Sequence, residues 1–251
     1  MATEQTVEQA VAQSARSHSI ITGGSSGIGK AIALNLARQG ANVSILARGE
    51  ERLLQAKAEI EQARKSAAQT VLALRVDVSD RAQVETTIED AIDRLGPPAQ
   101  LITCAGIAHP GHFQELPVEM FEKTMAVNYF GTLYAIRAVL PAMKQQSSGQ
   151  IGILSSGAGL IGLYGYSAYG SSKFAVRGLA ESLRAELKPL GIQVSIAYPP
   201  DTNTPQLEVE NKTKPAATKE ITATAMLWQP EAVAQVILDG MAKGRFEQSP
   251  G

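Results

Sequence analysis

Residues 18–22, His-Ser-Ile-Ile-Thr, read as a short β-strand that runs directly into Thr22-Gly-Gly-Ser-Ser-Gly-Ile-Gly29. Lys30-Ala-Ile-Ala-Leu-Asn-Leu-Ala-Arg-Gln39 follows with helical spacing at Ile32, Leu36 and the alanines, and Gly40 stops it. Strand, glycine turn and helix in that order open a β-α-β unit and are the context a dinucleotide loop requires. The glycines let the backbone come close to a pyrophosphate, while the helix N–H groups and dipole face its charge. Gly23, Ser25, Ser26, Gly27, Ile28 and Gly29 are therefore candidate cofactor contacts. The spacing is T-G-x-x-x-G-x-G, not the commoner G-x-G-x-x-G, so the flanking strand and helix carry the inference.

Strand and helix patterns alternate along the rest of the chain. This argues for a single α/β domain, a Rossmann-like, doubly wound parallel sheet. A length of 251 residues suffices for a sizeable core, and no repeat or internal linker divides it. The domain is expected over 18–251, after a flexible arm at 1–17 that is polar, Gln/Ala-rich and unlike a signal peptide. A formal charge of −1 without a basic cluster speaks against a nucleic-acid partner. The single cysteine, Cys104, excludes an intramolecular disulfide and suits a cytoplasmic chain. His18, His109 and His112 have no metal-ligand spacing, so no metal site is expected. No apolar run is long enough to span a bilayer.

The second strand reads Asn42-Val-Ser-Ile-Leu-Ala47 and is followed by Arg48, with Arg52 one helical turn on. An acid here would suit the ribose hydroxyls of NAD, whereas arginine suits the 2′-phosphate of NADP. No acid competes before Glu50 and Glu51, which favours NADPH/NADP+ held by Arg48 and Arg52. Ordinary surface cations are the plainer reading of the same two residues.

Tyr169-Gly-Ser-Ser-Lys173 puts a phenol and an ammonium at i and i+4, on one helix face. A free tyrosine titrates near ~10, and a neighbouring cation favours the phenolate. Bringing the value to about 7 takes roughly 4 kcal/mol, which the lysine and a positively charged nicotinamide together would supply. Alone, the spacing also fits a solvated helix pair.

With loop and pair in hand, the chain resembles the short-chain dehydrogenase/reductase family over residues 18 to about 244. Val71-Leu-Ala-Leu-Arg-Val-Asp77-Val78 resembles the third strand, whose terminal aspartate contacts adenine in the family. Leu101-Ile-Thr-Cys104-Ala105-Gly106 resembles the N-N-A-G turn, with Cys104 where the second asparagine usually stands. Met125-Ala-Val-Asn128 resembles the helical segment whose asparagine holds a proton-relay water. Gln150-Ile-Gly-Ile-Leu-Ser-Ser156 resembles the strand that carries the active serine. Adjacent strand side chains point to opposite faces, so only one of Ser155 and Ser156 meets the tyrosine. The family's usual gap of 13 residues selects Ser156, with Ser155 as the fallback.

The resemblance implies a reductase in which Ser156 and Tyr169 bond a substrate ketone and Tyr169 gives the proton. Lys173 would tune the tyrosine and bind the nicotinamide ribose, with Asn128 orienting a water. Asp77 and Val78 would flank the adenine, Ala105 and Gly106 the ribose, and Pro199 is a further cofactor contact. Within the family, Ala197-Tyr-Pro-Pro-Asp-Thr-Asn-Thr-Pro205 and Glu210-Asn-Lys-Thr-Lys-Pro215 resemble members that reduce the 3-ketone of a long-chain sphingoid base. A long-chain lipid ketone is thus the expected substrate. Rival readings are a reductase of another apolar carbonyl (steroid, retinoid or acyl ketone) and an NADPH-binding regulator without turnover.

Specificity is expected from Pro199 to Trp228, with Leu207, Val209, Ile221, Met226, Leu227 and Trp228 as groove candidates, joined by Tyr164 and Tyr166. Packing of this segment on the core is the plainer reading. Family members pair through the helices carrying Asn128 and Tyr169–Lys173, which implies a homo-oligomer, dimer or tetramer. Eukaryotic members work at the endoplasmic reticulum, so peripheral membrane contact on its cytosolic face is a further expectation. Members continue into a seventh parallel strand after the last helix, which here ends near Lys243. A chain lacking that strand and a membrane tail, and a compact soluble relative, are both open readings.

Overall fold

A computed structural model describes residues 17–223 and 226–250. The expected arm at 1–17 therefore lies outside the described residues, apart from Ser17. Strands β1 (His18–Thr22), β2 (Asn42–Ala47), β3 (Val71–Arg75), β4 (Pro98–Thr103), β5 (Gly149–Leu154), β6 (Ile192–Ala197) and β7 (Glu247–Gln248) form one sheet. Their order is β3-β2-β1-β4-β5-β6-β7, and every pairing is parallel.

The strands are nearly continuous apolar runs because both faces of the sheet are covered. Ile20 and Ile21 of β1 are each 0% exposed although they point to opposite faces. Ile20 joins a core with Val84 and Ile88 of α3 (Arg81–Leu95), Ile136 and Val139 of α5 (Gly131–Gln146) and Val176 of α6 (Ser167–Leu187). Ile21 joins the opposite core, with Ile32 of α1 (Gly27–Gln39), Leu53 of α2 (Glu50–Gln62) and Ile237 of α9 (Pro230–Ala242). Between these runs, α4 (Val118–Met125) passes through a single π-helical turn, Ala126–Phe130, before α5. His18 is buried and neutral in character: burial lowers its pKa, against the opposing pull of Gly96. Its Nδ1–H donates to Gly96 O at 2.8 Å, which leaves Nε2 to accept from Ser44 Oγ at 2.9 Å.

A seventh parallel strand follows the last helix. Glu247 and Gln248 pair with Ile196 and Ala197, and Gln248 is buried. Two residues without a β-branched side chain carry no strand periodicity, so only pairing with β6 reveals them. Strand order reverses between β1 and β4, and the helices that follow them, α1 and α5, pack on opposite faces of the sheet, which opens a crevice at the C-terminal ends.

Candidate active site

The glycine loop occupies that crevice. Gly23 has φ 71°, and a Cβ on it would lie 2.7 Å from the backbone nitrogen of Ala105, so the loops after β1 and β4 touch through bare backbone. Gly23 N–H donates to Leu46 O at 2.8 Å, and Cys104 N–H to Thr22 O at 3.0 Å, which pins the turn between β2 and β4. Helix α1 begins immediately afterwards, with no side-chain cap from Ser26 and no acid in its first turn. Its first N–H groups and positive dipole end remain available to an anion.

A cleft of about 1300 Å³ runs from this loop across the sheet's C-terminal edge. The loop residues Gly23, Ser25, Ser26, Gly27, Ile28 and Gly29 line one part of it, and Arg48 and Arg52 stand at its rim. Val78, Ala105, Gly106 and Pro199 line it further on, followed by Ser156, Tyr169 and Lys173. Asp77 is not brought to this cleft. Its carboxylate accepts from Ser79 N–H at 3.0 Å and Ser79 Oγ at 2.7 Å, beside a smaller pocket shared with Arg48, Arg75 and Gln83. Burial alone would raise its pKa, but the two Ser79 bonds and Arg48 hold it below the usual carboxylate range.

Helix α6 brings Tyr169 and Lys173 together, with the lysine Nζ 5.6 Å from the ring centroid. That Nζ also donates to Leu154 O at 2.8 Å, anchoring it to the end of β5. The two adjacent serines separate as alternation requires. Ser155 Oγ donates to the Lys173 carbonyl at 3.1 Å, whereas Ser156 Oγ accepts from Ala158 N–H at 3.2 Å and lines the cleft with Tyr169. Asn128 lies in the π turn, 1% exposed and outside the cleft lining. Its Oδ1 accepts from Ile107 N–H at 2.8 Å, and its Nδ2 donates to Ile107 O at 3.0 Å and Ser172 Oγ at 2.9 Å. This amide clamps the loop after β4 to the helix of the tyrosine. A Cβ on Gly106 would come within 3.3 Å of Asn128 Oδ1 and 3.7 Å of Lys173 Nζ, so both groups converge on that glycine.

Residues 17–215 match the family model described as short chain dehydrogenase. The chain belongs to the short chain dehydrogenase family. It is 49% identical over 235 residues to the 3-ketodihydrosphingosine reductase of Mus musculus, covering 93% of this chain and 71% of that one. It is 48% identical over 235 residues to the 3-dehydrosphinganine reductase of Danio rerio, with the same coverage of 93% and 71%. Among solved structures, levodione reductase superposes with a TM-score of 0.83 at 26% identity, covering 92% of this chain and 94% of that one. Short chain dehydrogenases use nicotinamide dinucleotides, and the glycine loop and helix terminus fit the pyrophosphate of one. Among the described residues no cluster suits a metal ion, and no helix is long and apolar enough to cross a membrane.

The electrostatics differ from what the Tyr169–Lys173 spacing suggests. Burial raises the Tyr169 pKa well above its ordinary value, and the Glu210 carboxylate raises it further. The polar side chains of Ser156 and Gln206 pull it down without reversing the shift. Burial lowers Lys173 to about 8, partly opposed by Cys104 and Glu210. Desolvation disfavours the charged form of both groups, and here it outweighs their proximity. Cys104, likewise buried, is pushed up to about 12 and stays a thiol, as a packing residue should.

The segment after β6 departs most from its sequence reading. Leu207 and Val209 line the cleft, but Ile221, Met226 and Leu227 are 55%, 75% and 51% exposed. Trp228 packs against the core beside α9. The ends of the excursion meet: Asn203 N–H donates to Trp228 O at 2.8 Å, and Trp228 N–H to Asp201 O at 3.0 Å. Between them lie α7 (Pro205–Thr213), capped by Thr204, and α8 (Ala216–Thr222). Tyr164 is exposed and pairs with His112 at 3.2 Å, whereas Tyr166 is buried and lines the cleft.

What the apolar reading missed is polar. Tyr166 OH donates to Glu210 Oε2 at 2.8 Å, Gln206 Nε2 donates to Glu210 Oε1 at 2.8 Å, and Lys214 pairs with Asp201 at 3.6 Å. Residues 206, 210 and 214 are spaced four apart, a pattern visible in the sequence as one polar stripe turned inward.

Proposed function

We infer that this chain reduces the 3-ketone of 3-ketodihydrosphingosine to the alcohol of dihydrosphingosine, using NADPH. The observation that carries the reading is a buried Tyr169 that shares one cleft with Ser156, Lys173 and the glycine loop. The substrate assignment draws on the 49% identity to the mouse 3-ketodihydrosphingosine reductase. Gly23 to Gly29 and the start of α1 would hold the pyrophosphate. Arg48, supported by Arg52, would hold the 2′-phosphate and so select NADPH over NADH. Val78, Ala105, Gly106 and Pro199 would contact the nucleoside parts. When bound, NADPH supplies the hydride.

Ser156 and Tyr169 donate hydrogen bonds to the ketone oxygen, where negative charge grows as the carbonyl carbon is reduced. Tyr169 then transfers its proton to that oxygen as general acid. A phenol whose pKa is raised is protonated at neutral pH and ready for this direction of reaction. Lys173, fixed by Leu154 O, provides positive charge beside the phenolate that remains. Asn128 holds the Ile107 loop and Ser172 in place, and the spare lone pair of its Oδ1 would orient a water that returns the proton.

The exposed Val209, Ile221, Met226 and Leu227 give the lid an apolar rim suited to a membrane surface, where such a substrate resides. The reading carries a cytoplasmic location, with the cytosolic face of the endoplasmic reticulum as that surface in a eukaryotic cell. Phe130 and Phe174, 40% and 43% exposed near and on the two long helices, suit pairing into a homo-oligomer.

The test is NADPH oxidation with 3-ketodihydrosphingosine in detergent, for the wild type and Tyr169→Phe, with NADH as control. Turnover selective for NADPH and reduced about 10³-fold or more in kcat by Tyr169→Phe is expected. Binding of NADPH with no reduction of this ketone would sink the substrate assignment and leave a reductase of another carbonyl.

A further inference from the structure

One group in the cleft has no part in the mechanism above. Glu210 is 8% exposed, yet its carboxylate is met only by neutral donors, Tyr166 OH and the Gln206 amide, each at 2.8 Å. Among the described residues it forms no ion pair. Lys214, one helical turn on and itself buried, pairs with Asp201 instead. A carboxylate withdrawn from water without a cation is costly. A groove made only for an alkyl chain would have no use for it.

Its position narrows the purpose. Tyr166, which donates to Glu210, has its ring centroid 5.8 Å from that of Tyr169, so the carboxylate lies a single side chain from the proton donor. Glu210, Gln206, Tyr166 and Tyr169 all line the same cleft.

We propose that Glu210 is the subsite for a substrate ammonium group borne on the carbon next to the ketone, and thereby selects amino ketones. The inference rests on the function proposed above, because a 3-ketodihydrosphingosine carries an amine on the carbon beside its carbonyl. Tyr166 and Gln206 hold the carboxylate oriented, while the ammonium supplies the missing positive charge. The same contact acts on the chemistry. The charge of Glu210 holds the Tyr169 proton more tightly, and an ammonium beside it offsets that field. An amine-bearing ketone therefore brings its own proton donor closer to the working range.

The test compares kcat/KM for 3-ketodihydrosphingosine with that for 1-hydroxyoctadecan-3-one, which lacks only the amine. In the wild type the amino ketone is preferred, and Glu210→Gln lowers that preference about 10- to 100-fold, as expected for loss of a charge-assisted bond. An equal change on both ketones would overturn the proposal and leave Glu210 a packing residue. A second arm uses the wild type alone, so it does not depend on the variant folding. Dodecylamine should compete with the ketone at least about tenfold more tightly than 1-dodecanol. Equal or weaker inhibition by the amine would also overturn the proposal. A wild type that reduces the deamino ketone but not 3-ketodihydrosphingosine would instead overturn the proposed function, and this subsite with it.

Discussion

The nucleotide end of the cleft and the lid over its other end are built on opposite principles. At the first, backbone does the work: Gly23 leaves no room for a side chain against Ala105, and helix α1 offers its uncapped N-terminus. At the second, side chains do it: Tyr166, Glu210 and Lys214, all buried, join the half-buried Gln206 and Asp201 in a polar set on an excursion that leaves and rejoins the fold at one point. A backbone site tolerates little variation because its shape is the site. A side-chain site on a pinned loop can change its chemistry while the sheet beneath stays the same. This difference suits a family in which one nucleotide module serves many substrates.

The comparison is broken most severely at Gly23. Gly23→Ala adds left-handed strain to a clash with the Ala105 backbone, together about 4 kcal/mol. The unfolding midpoint should drop and NADPH binding weaken, measured by denaturation and by cofactor fluorescence. Unchanged stability and binding would mean that the two loops do not touch as described. No single substitution in the lid is expected to cost as much.

Lys173, between the two ends, sharpens the contrast through pH. Its pKa is lowered to about 8 in the folded protein, below that of an exposed lysine, so the unfolded chain binds the proton more tightly. The resulting penalty is fully present below about pH 8 and is released as pH rises towards about 10.4, the unperturbed value. Relative to Lys173→Met, the wild type should gain up to roughly 3 kcal/mol of unfolding free energy across that window. A flat difference would contradict the burial of this ammonium. Ketone reduction should also decline as pH rises through about 8, because the uncharged lysine no longer stabilises the phenolate.

The smallest effect is expected at the rim. Arg48→Ala should reduce the preference for NADPH over NADH about tenfold, the low end for a charge-assisted contact because the arginine is exposed and screened. Added salt should shrink the wild-type preference in the same direction. A preference insensitive to both would move 2′-phosphate recognition elsewhere in the cleft.

Much of this was legible before any coordinates. The run from Thr22 to Gly29, the Tyr169–Lys173 spacing and the alternating strands and helices depend on neighbours close in sequence, where periodicity and glycine chemistry act. That Ser155 and Ser156 face opposite ways was within reach for the same reason, since strand alternation is local, whereas the choice of Ser156 came from the family's spacing. Other features resisted. Asp77 turns to Ser79 rather than into the main cleft, and β7 is two residues that become a strand only beside β6. Ile221, Met226 and Leu227 look like groove residues but face outward, because the pinned lid directs its polar stripe inward.

What the sequence determined by itself is the layered α/β sheet, the glycine loop between β1 and α1 and the Tyr169–Lys173 spacing, each written in short-range pattern. Only the tertiary structure decided how strongly those groups hold their protons and what stands beside them. Burial raises Tyr169 and lowers Lys173, and Glu210 reaches the tyrosine from a helix 41 residues along the chain. Desolvation and long-range charge depend on what surrounds a group in space, and no local spacing records that.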